Sequence, residues 1–258
     1  MNPYLYMQQG NQAFSNKDYG SALRYYKKAL EGIRDDENPL ADLYGNIGNV
    51  YAATGNIDEA VRAYKEAMSI LRRLEDYDRL GITYVNIGNL YADRGKLEEG
   101  IDYYKQGALL LERQKKWGDL AVLYGNISLA LRKTAKWKAA LRYAKKGWAL
   151  AKKLKQPNIL ADATHLLAKA EDGAGAADVA RLLSQTASSI YLEIGDEFGY
   201  AATRYHQASL LEKNRERAEA IRILKEVIAV DEKYNLPKLE KNKKWLMDLE
   251  KKYRSSKI

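Results

Sequence analysis

Along most of this chain apolar residues recur at steps of three and four, the period of a helix with one buried face. Between Leu40 and Leu71 the pattern runs as two such stretches. Tyr44, Ile47, Gly48 and Tyr51 share a face of the first, and Ala60, Tyr64, Ala67 and Leu71 form a stripe on the second. Gly55-Asn56 breaks the pattern between them, as a left-handed glycine closing a helix does. No strand-like alternation of any length occurs, so the expected fold is all-α. Pro3, Pro39, Pro157 and Pro237 fall at or near the start of an expected helix, where a missing N–H costs nothing.

The pattern itself repeats. Tyr44, Asn46, Ile47, Asn49 and Tyr51 return 40 positions later as Tyr84, Asn86, Ile87, Asn89 and Tyr91, and then in part as Tyr124, Asn126 and Ile127. Leu40, Leu80, Leu120 and Leu160 open equivalent segments, with Tyr200 in the fifth place. Ala60, Gly100, Ala140, Ala180 and Ala220 put a small residue in register, and Gly10, Ala13, Ala22, Tyr26 and Ala29 mark a shorter first copy. Self-similarity of this period predicts a solenoid. Six two-helix repeats are expected in a single domain over 1–258, at about 3–39, 40–79, 80–119, 120–159, 160–199 and 200–235. The remainder carries Leu239, Leu246, Leu249 and Tyr253 on one stripe among lysines. It reads as a capping helix at about 237–254, because a last repeat otherwise exposes its stacking face. A basic membrane-surface helix is the alternative, against which Glu240, Asp248 and Glu250 count.

These residues resemble the tetratricopeptide repeat (TPR) family, whose pattern is W-x2-L-G-x2-Y followed by A-x3-F. Tyr44-x2-Ile47-Gly48-x2-Tyr51 with Ala60-x3-Tyr64 matches it, as does Tyr84-x2-Ile87-Gly88-x2-Tyr91 with Gly100-x3-Tyr104. The fourth repeat keeps Tyr124, Ile127, Ala140 and Ala144 but has Ser128 for the glycine. In the fifth and sixth only the small residues Ala168, Ala180, Ala187, Ala208 and Ala220 hold the register. The family unit is about 34 residues, and the extra length is expected in the second helix and its exit loop. Long repeats with asparagines in these places are similar to those of kinesin light chains and the polarity adaptor Pins. The resemblance implies a right-handed α-solenoid whose first helices line a concave surface. It also implies non-catalytic binding of a protein or peptide there.

On that surface the resemblance would stack Asn46, Asn49, Asn86, Asn89 and Asn126 as a ladder. An amide offers donors and acceptors, so it can pair with an extended peptide's backbone without reading its side chains. Alternatively, these asparagines bridge adjacent repeats and hold the stack in register. Further along, the same face carries Arg132, Lys133, His165, Lys169, Tyr205 and His206. This basic and aromatic half suits an acidic segment or a free C-terminal carboxylate; the plain alternative is solvated lysines.

Composition narrows the classes. The chain has 258 residues, 46% hydrophobic and 30% charged, with no cysteine, and a mean hydropathy of −0.54. That is a folded profile without disulfides, a thiolate nucleophile or a cysteine metal site. No apolar run approaches the roughly 20 residues of a membrane helix. The opening MNPYLYMQQGNQ has neither a basic start nor an apolar stretch, so a cytoplasmic protein is expected. A net charge of +9 points to acidic partners. From Leu120 to Ala161 there is no acidic residue, and Lys138, Arg142, Lys145 and Lys152 follow helical spacing on an expected convex face. They read as a solvated face or, alternatively, as a nucleic-acid contact. No phosphate loop, zinc-protease or esterase motif occurs, so neither enzyme nor cofactor is expected. His165 and His206 are expected to be neighbours, but with only Asp162 and Asp172 nearby they predict no metal site.

Overall fold

The computed structural model describes residues 2–33 and 36–255. Those residues form thirteen α-helices and no strand. The fold is the all-α array of helix-turn-helix repeats that the sequence predicts. It comprises two compact bodies, Met1–Lys116 and Trp117–Ile258, divided where the third repeat ends and the fourth begins.

The N-terminal body contains α1 (Pro3–Ser15), α2 (Tyr19–Gly32), α3 (Glu37–Ala53), α4 (Ile57–Arg73), α5 (Tyr77–Asp93) and α6 (Leu97–Arg113). The C-terminal body contains α7 (Trp117–Lys133), α8 (Trp137–Leu154), α9 (Pro157–Gly173), α10 (Ala177–Glu193), α11 (Glu197–Lys213), α12 (Arg217–Lys233) and α13 (Leu239–Ser255). From α3 to α12 every helix has 17 residues except α8, which has 18. The length beyond a standard unit is therefore shared by both helices of a repeat. It does not sit in the second helix and its exit loop, as the sequence reading expected. First helices also begin at Glu37, Tyr77, Trp117, Pro157 and Glu197, three positions ahead of the expected boundaries.

What keeps this spacing is the turn. Residues Gly55, Glu75, Gly95, Lys115, Ala135, Lys155, Gly175, Gly195, Arg215 and Asn235 all adopt positive φ, between 48° and 89°. One left-handed residue lets the next N–H reach back five residues to an orphan helix carbonyl, as Asn56 does to Tyr51 at 2.8 Å and Asp76 to Leu71 at 2.9 Å. Glycine takes this conformation freely, whereas the side-chain-bearing residues take it at a cost.

Packing uses the small residues in register. Ala60, Ala140, Ala168, Ala180, Ala187, Ala208 and Ala220 are all fully buried. Gly100 has no room for a Cβ, which would come within 2.9 Å of the Gly88 carbonyl. Close approach of paired helices thus survives in the fifth and sixth repeats even where the aromatic signature is lost. At the end of the C-terminal body, Leu249 is fully buried against Ile223, Leu224, Val227 and Ile228. Burying such a side chain stabilises by about 1.5–3 kcal/mol. Trp245 joins the covering face and donates its indole N–H to Glu212 at 2.7 Å, so α13 seals the last repeat.

Candidate binding sites

Asn11, Asn49 and Asn89 have partners within their own repeats. Tyr64 donates its hydroxyl to Asn49 Oδ1 at 2.6 Å, and Tyr104 does the same to Asn89. Tyr26 donates to Asn11 at 2.8 Å in the first repeat. In each case the donor lies on the second helix and the asparagine on the first. Burial pushes the Tyr64 and Tyr104 hydroxyls up to about 12, so they remain protonated donors. The glycine before each asparagine makes room, since a Cβ on Gly48 would lie 2.6 Å from the Tyr64 ring. Glycine, asparagine and tyrosine act as a set. The fourth repeat replaces all three with Ser128, Leu129 and Ala144.

Asn46 behaves differently. Its Nδ2 donates to Asn11 Oδ1 at 3.2 Å, joining the second repeat to the first. Asn86 and Asn126 are half-buried and have no side-chain hydrogen bond to the described residues. Asn46, Asn49 and Asn86 border a 140 Å³ cavity with Asp42 and Arg79, while Asn126 borders one of 240 Å³ with His165. Asn89 lines neither.

In the C-terminal body a cavity of 480 Å³ brings together Arg132 of α7, Lys169 of α9, and Tyr205 and His206 of α11. Phe198, Ala201 and Val227 supply an apolar wall, and Leu236, Pro237, Lys238 and Asn242 close it from the α13 side. The Lys169 ammonium is pushed down to about 8 by burial, with Arg132 and Lys238 adding repulsion. Burial also lowers Arg132, partly offset by Asp172. Its Nε is buried without a hydrogen-bond partner. The acids nearby are engaged elsewhere. Asp172 binds Lys213 at 2.8 Å and His206 Nε2 at 3.4 Å, and Asp231 accepts from Asn242 at 2.7 Å. No carboxylate of the described residues pairs with Lys169.

The two histidines are neighbours, with ring centroids 6.0 Å apart in an edge-to-face arrangement. His165 does not line the cationic cavity. Burial first, then Lys169, His206 and Arg132, hold it down at about 2, so it is a neutral ring. Lys133 is exposed at the end of α7 and lies outside the cavity as well. Phe198, Asp231, Lys238 and Asn242 escaped the sequence reading, which treated Lys238 and Asn242 only as parts of a cap. Among the described residues no three His, Cys, Asp or Glu side chains group as metal ligands would.

The model of the MalT-like TPR region matches residues 9–226. The chain belongs to this family. Over 58 residues it is 41% identical to the RNA polymerase-associated protein CTR9 of Caenorhabditis elegans, covering 22% of this chain and 5% of CTR9. Over 65 residues it is 31% identical to the photosystem I assembly protein Ycf3 of Prochlorococcus marinus, covering 25% of the chain and 37% of Ycf3. The TPR chain thus spans well under two thirds of either curated relative. Among solved structures, the STAND protein PH0952 of Pyrococcus horikoshii, with its tetratricopeptide repeat sensor, aligns with a TM-score of 0.82 at 14% identity, over 96% of this chain and 38% of that one. A Rap protein complexed with competence and sporulation factor aligns with a TM-score of 0.63 at 18% identity, over 98% and 76%. These two likenesses establish a shared fold.

On this TPR chain the basic residues Lys138, Arg142, Lys145 and Lys152 are all exposed on α8. Lys145 pairs with Glu171 at 3.2 Å. Arg142 lies over the Tyr143 ring at 5.6 Å and Lys152 over Trp148 at 5.2 Å. Three of the four therefore have partners inside their own body. Among the described residues no helix is long and apolar enough to cross a membrane.

Proposed function

We propose that this TPR chain is a non-catalytic protein-interaction module of the cytoplasm that takes an acidic segment of a partner protein. The cavity of Arg132 and Lys169 is its anion-accepting part. The observation that carries this reading is the state of Lys169: a largely buried ammonium beside two further cations, with no carboxylate paired to it. A buried charge without a partner costs free energy, and a bound carboxylate would relieve that cost through charge-assisted hydrogen bonds. In the N-terminal body Asn49 and Asn89 would contribute donors only, because their Oδ1 atoms already accept from tyrosine. Their Nδ2 groups, with those of Asn46 and Asn86, would take peptide carbonyls. The Rap protein complexed with a factor and the assembly protein Ycf3 support a protein or peptide partner.

The test is fluorescence anisotropy with a labelled acidic 12-residue peptide blocked at both ends. Charge reversal by Lys169→Glu with Arg132→Glu should weaken binding at least tenfold. Reversal of Lys138, Arg142, Lys145 and Lys152 should leave it unchanged. If only the α8 variant loses binding, the function lies on that basic face. Nucleic acid would then be its ligand if affinity for RNA or DNA falls log-linearly and steeply with salt.

A further inference from the structure

The same cavity has a second chemical side. Beside the cations Arg132, Lys169 and Lys238 the lining holds the carboxylate of Asp231 and the neutral amide of Asn242, both nearly fully buried. Asn242 commits its Nδ2 to Asp231, which leaves Asn242 Oδ1 buried with no hydrogen-bond partner. Arg132 Nε is the matching orphan among the donors. Buried polar atoms are nearly always satisfied, so an orphan donor and an orphan acceptor around one cavity call for a ligand that carries both complements. Between them the wall is apolar, built from Phe198, Tyr205 and Val227. The volume of 480 Å³ lies within the range of small-molecule sites, about 300–1,000 Å³.

We propose that this cavity binds a small zwitterion with an apolar body, a free amino acid or dipeptide with a large apolar side chain. Its carboxylate would meet Arg132 and Lys169, its ammonium would meet Asp231 and Asn242 Oδ1, and its side chain would lie against Phe198 and Tyr205. The inference rests on the reading of Arg132 and Lys169 as anion acceptors and adds the rest of the ligand. A purely anionic ligand would leave Asn242 Oδ1 unsatisfied and would face Asp231 without compensation. A purely apolar one would leave the cations bare.

Because the cavity is walled partly by α13, which also seals the last repeat, occupancy should register as thermal stabilisation. The experiment is a calorimetric titration and melting scan of the full chain with L-phenylalanine and with L-leucyl-L-phenylalanine. Each is compared with its N-acetyl and its C-terminal amide derivatives. Binding by either parent ligand that falls at least tenfold on blocking either end, and that disappears in Lys169→Met, is the expected result. Ala202→Trp, at an exposed wall position, should also abolish it while leaving the fold intact. The proposal is overturned if neither parent binds, or if the acetylated form binds as well as the free one. It is overturned too if binding survives Ala202→Trp. Since the acidic peptide of the preceding test has blocked ends, its binding alone would sustain the protein-interaction reading while sinking this one.

Discussion

Tyr64 donates its hydroxyl to Asn49 across the second repeat at 2.6 Å, and the ring passes where a side chain on Gly48 would stand. This relationship explains an asparagine in the middle of a packed helix. Such a residue is mildly unfavourable there by itself, because its side chain competes for backbone bonds. Here it accepts a hydrogen bond from a tyrosine whose own burial requires an acceptor. Asn89 and Tyr104 repeat the arrangement.

Removing the hydroxyl with Tyr64→Phe leaves Asn49 Oδ1 without its donor and should destabilise by about 1 kcal/mol. Gly48→Ala should cost more, about 1–3 kcal/mol, because the added methyl meets the ring. Chemical denaturation with circular dichroism measures both. Equal stability of Gly48→Ala and wild type would refute the role assigned to the glycine.

The set can be exchanged as a set. Tyr64→Ala alone should cost about 3 kcal/mol or more as a cavity. The triple variant Gly48→Ser, Asn49→Leu, Tyr64→Ala copies the fourth repeat's Ser128, Leu129 and Ala144. It should recover at least about 1 kcal/mol relative to the summed single effects, since contacting positions are coupled. Strict additivity in denaturation midpoints would show that the three residues do not form a unit.

At the turns, Ala135 holds φ of 56° where the equivalent turns of the second, third and fifth repeats have Gly55, Gly95 and Gly175. Ala135→Gly should raise stability by about 1 kcal/mol, because it relieves the left-handed penalty of a β-carbon. Gly175→Ala, at φ 89°, should lower it by a similar amount. Melting temperatures moving in opposite directions confirm the account.

Lys169 predicts a trade-off between stability and binding. Its ammonium is held near 8 in the folded chain against the ordinary 10.5 of a free lysine. Below pH 8 both folded and unfolded chains carry the proton, so the full cost of the buried charge is present. Between about pH 8 and 10.5 the folded chain has lost the proton first, and stability from this group rises with pH. Lys169→Met should therefore raise the melting temperature at neutral pH and flatten that rise, while acidic-peptide binding is lost. A lower melting temperature in Lys169→Met would show that the lysine stabilises the free fold.

The sign reverses for binding. A bound carboxylate favours the charged form, so the complex holds the Lys169 proton more tightly than the free chain does. Affinity for an acidic peptide should be greatest below pH 8 and fall as pH rises above it, with proton uptake on binding near pH 8. Titrations in two buffers of different ionisation enthalpy measure that uptake directly. None at pH 8 would exclude Lys169 from the contact.

The sequence by itself determined the period, the helix pairs and the cap. Each follows from local rules: apolar spacing at three and four, a left-handed residue after a helix, and a small residue wherever two helices must touch. Those rules work over 20 to 40 residues, and so they were legible even in the fifth and sixth repeats, where Ala168, Ala180 and Ala208 are fully buried. Only the tertiary structure decided what the polar residues do. An asparagine on a helix reads the same whether its oxygen faces solvent, a ligand or Tyr64, because the partner lies on another helix. Arg132, Lys169 and Tyr205 were legible as one basic and aromatic face. Their enclosure by Phe198, Asp231, Lys238 and Asn242 was not, since it depends on how α12 packs on α11 and α13 on α12. Burial and the lack of an acidic neighbour, which push Lys169 down to about 8, are likewise properties of the packed chain and of no single segment.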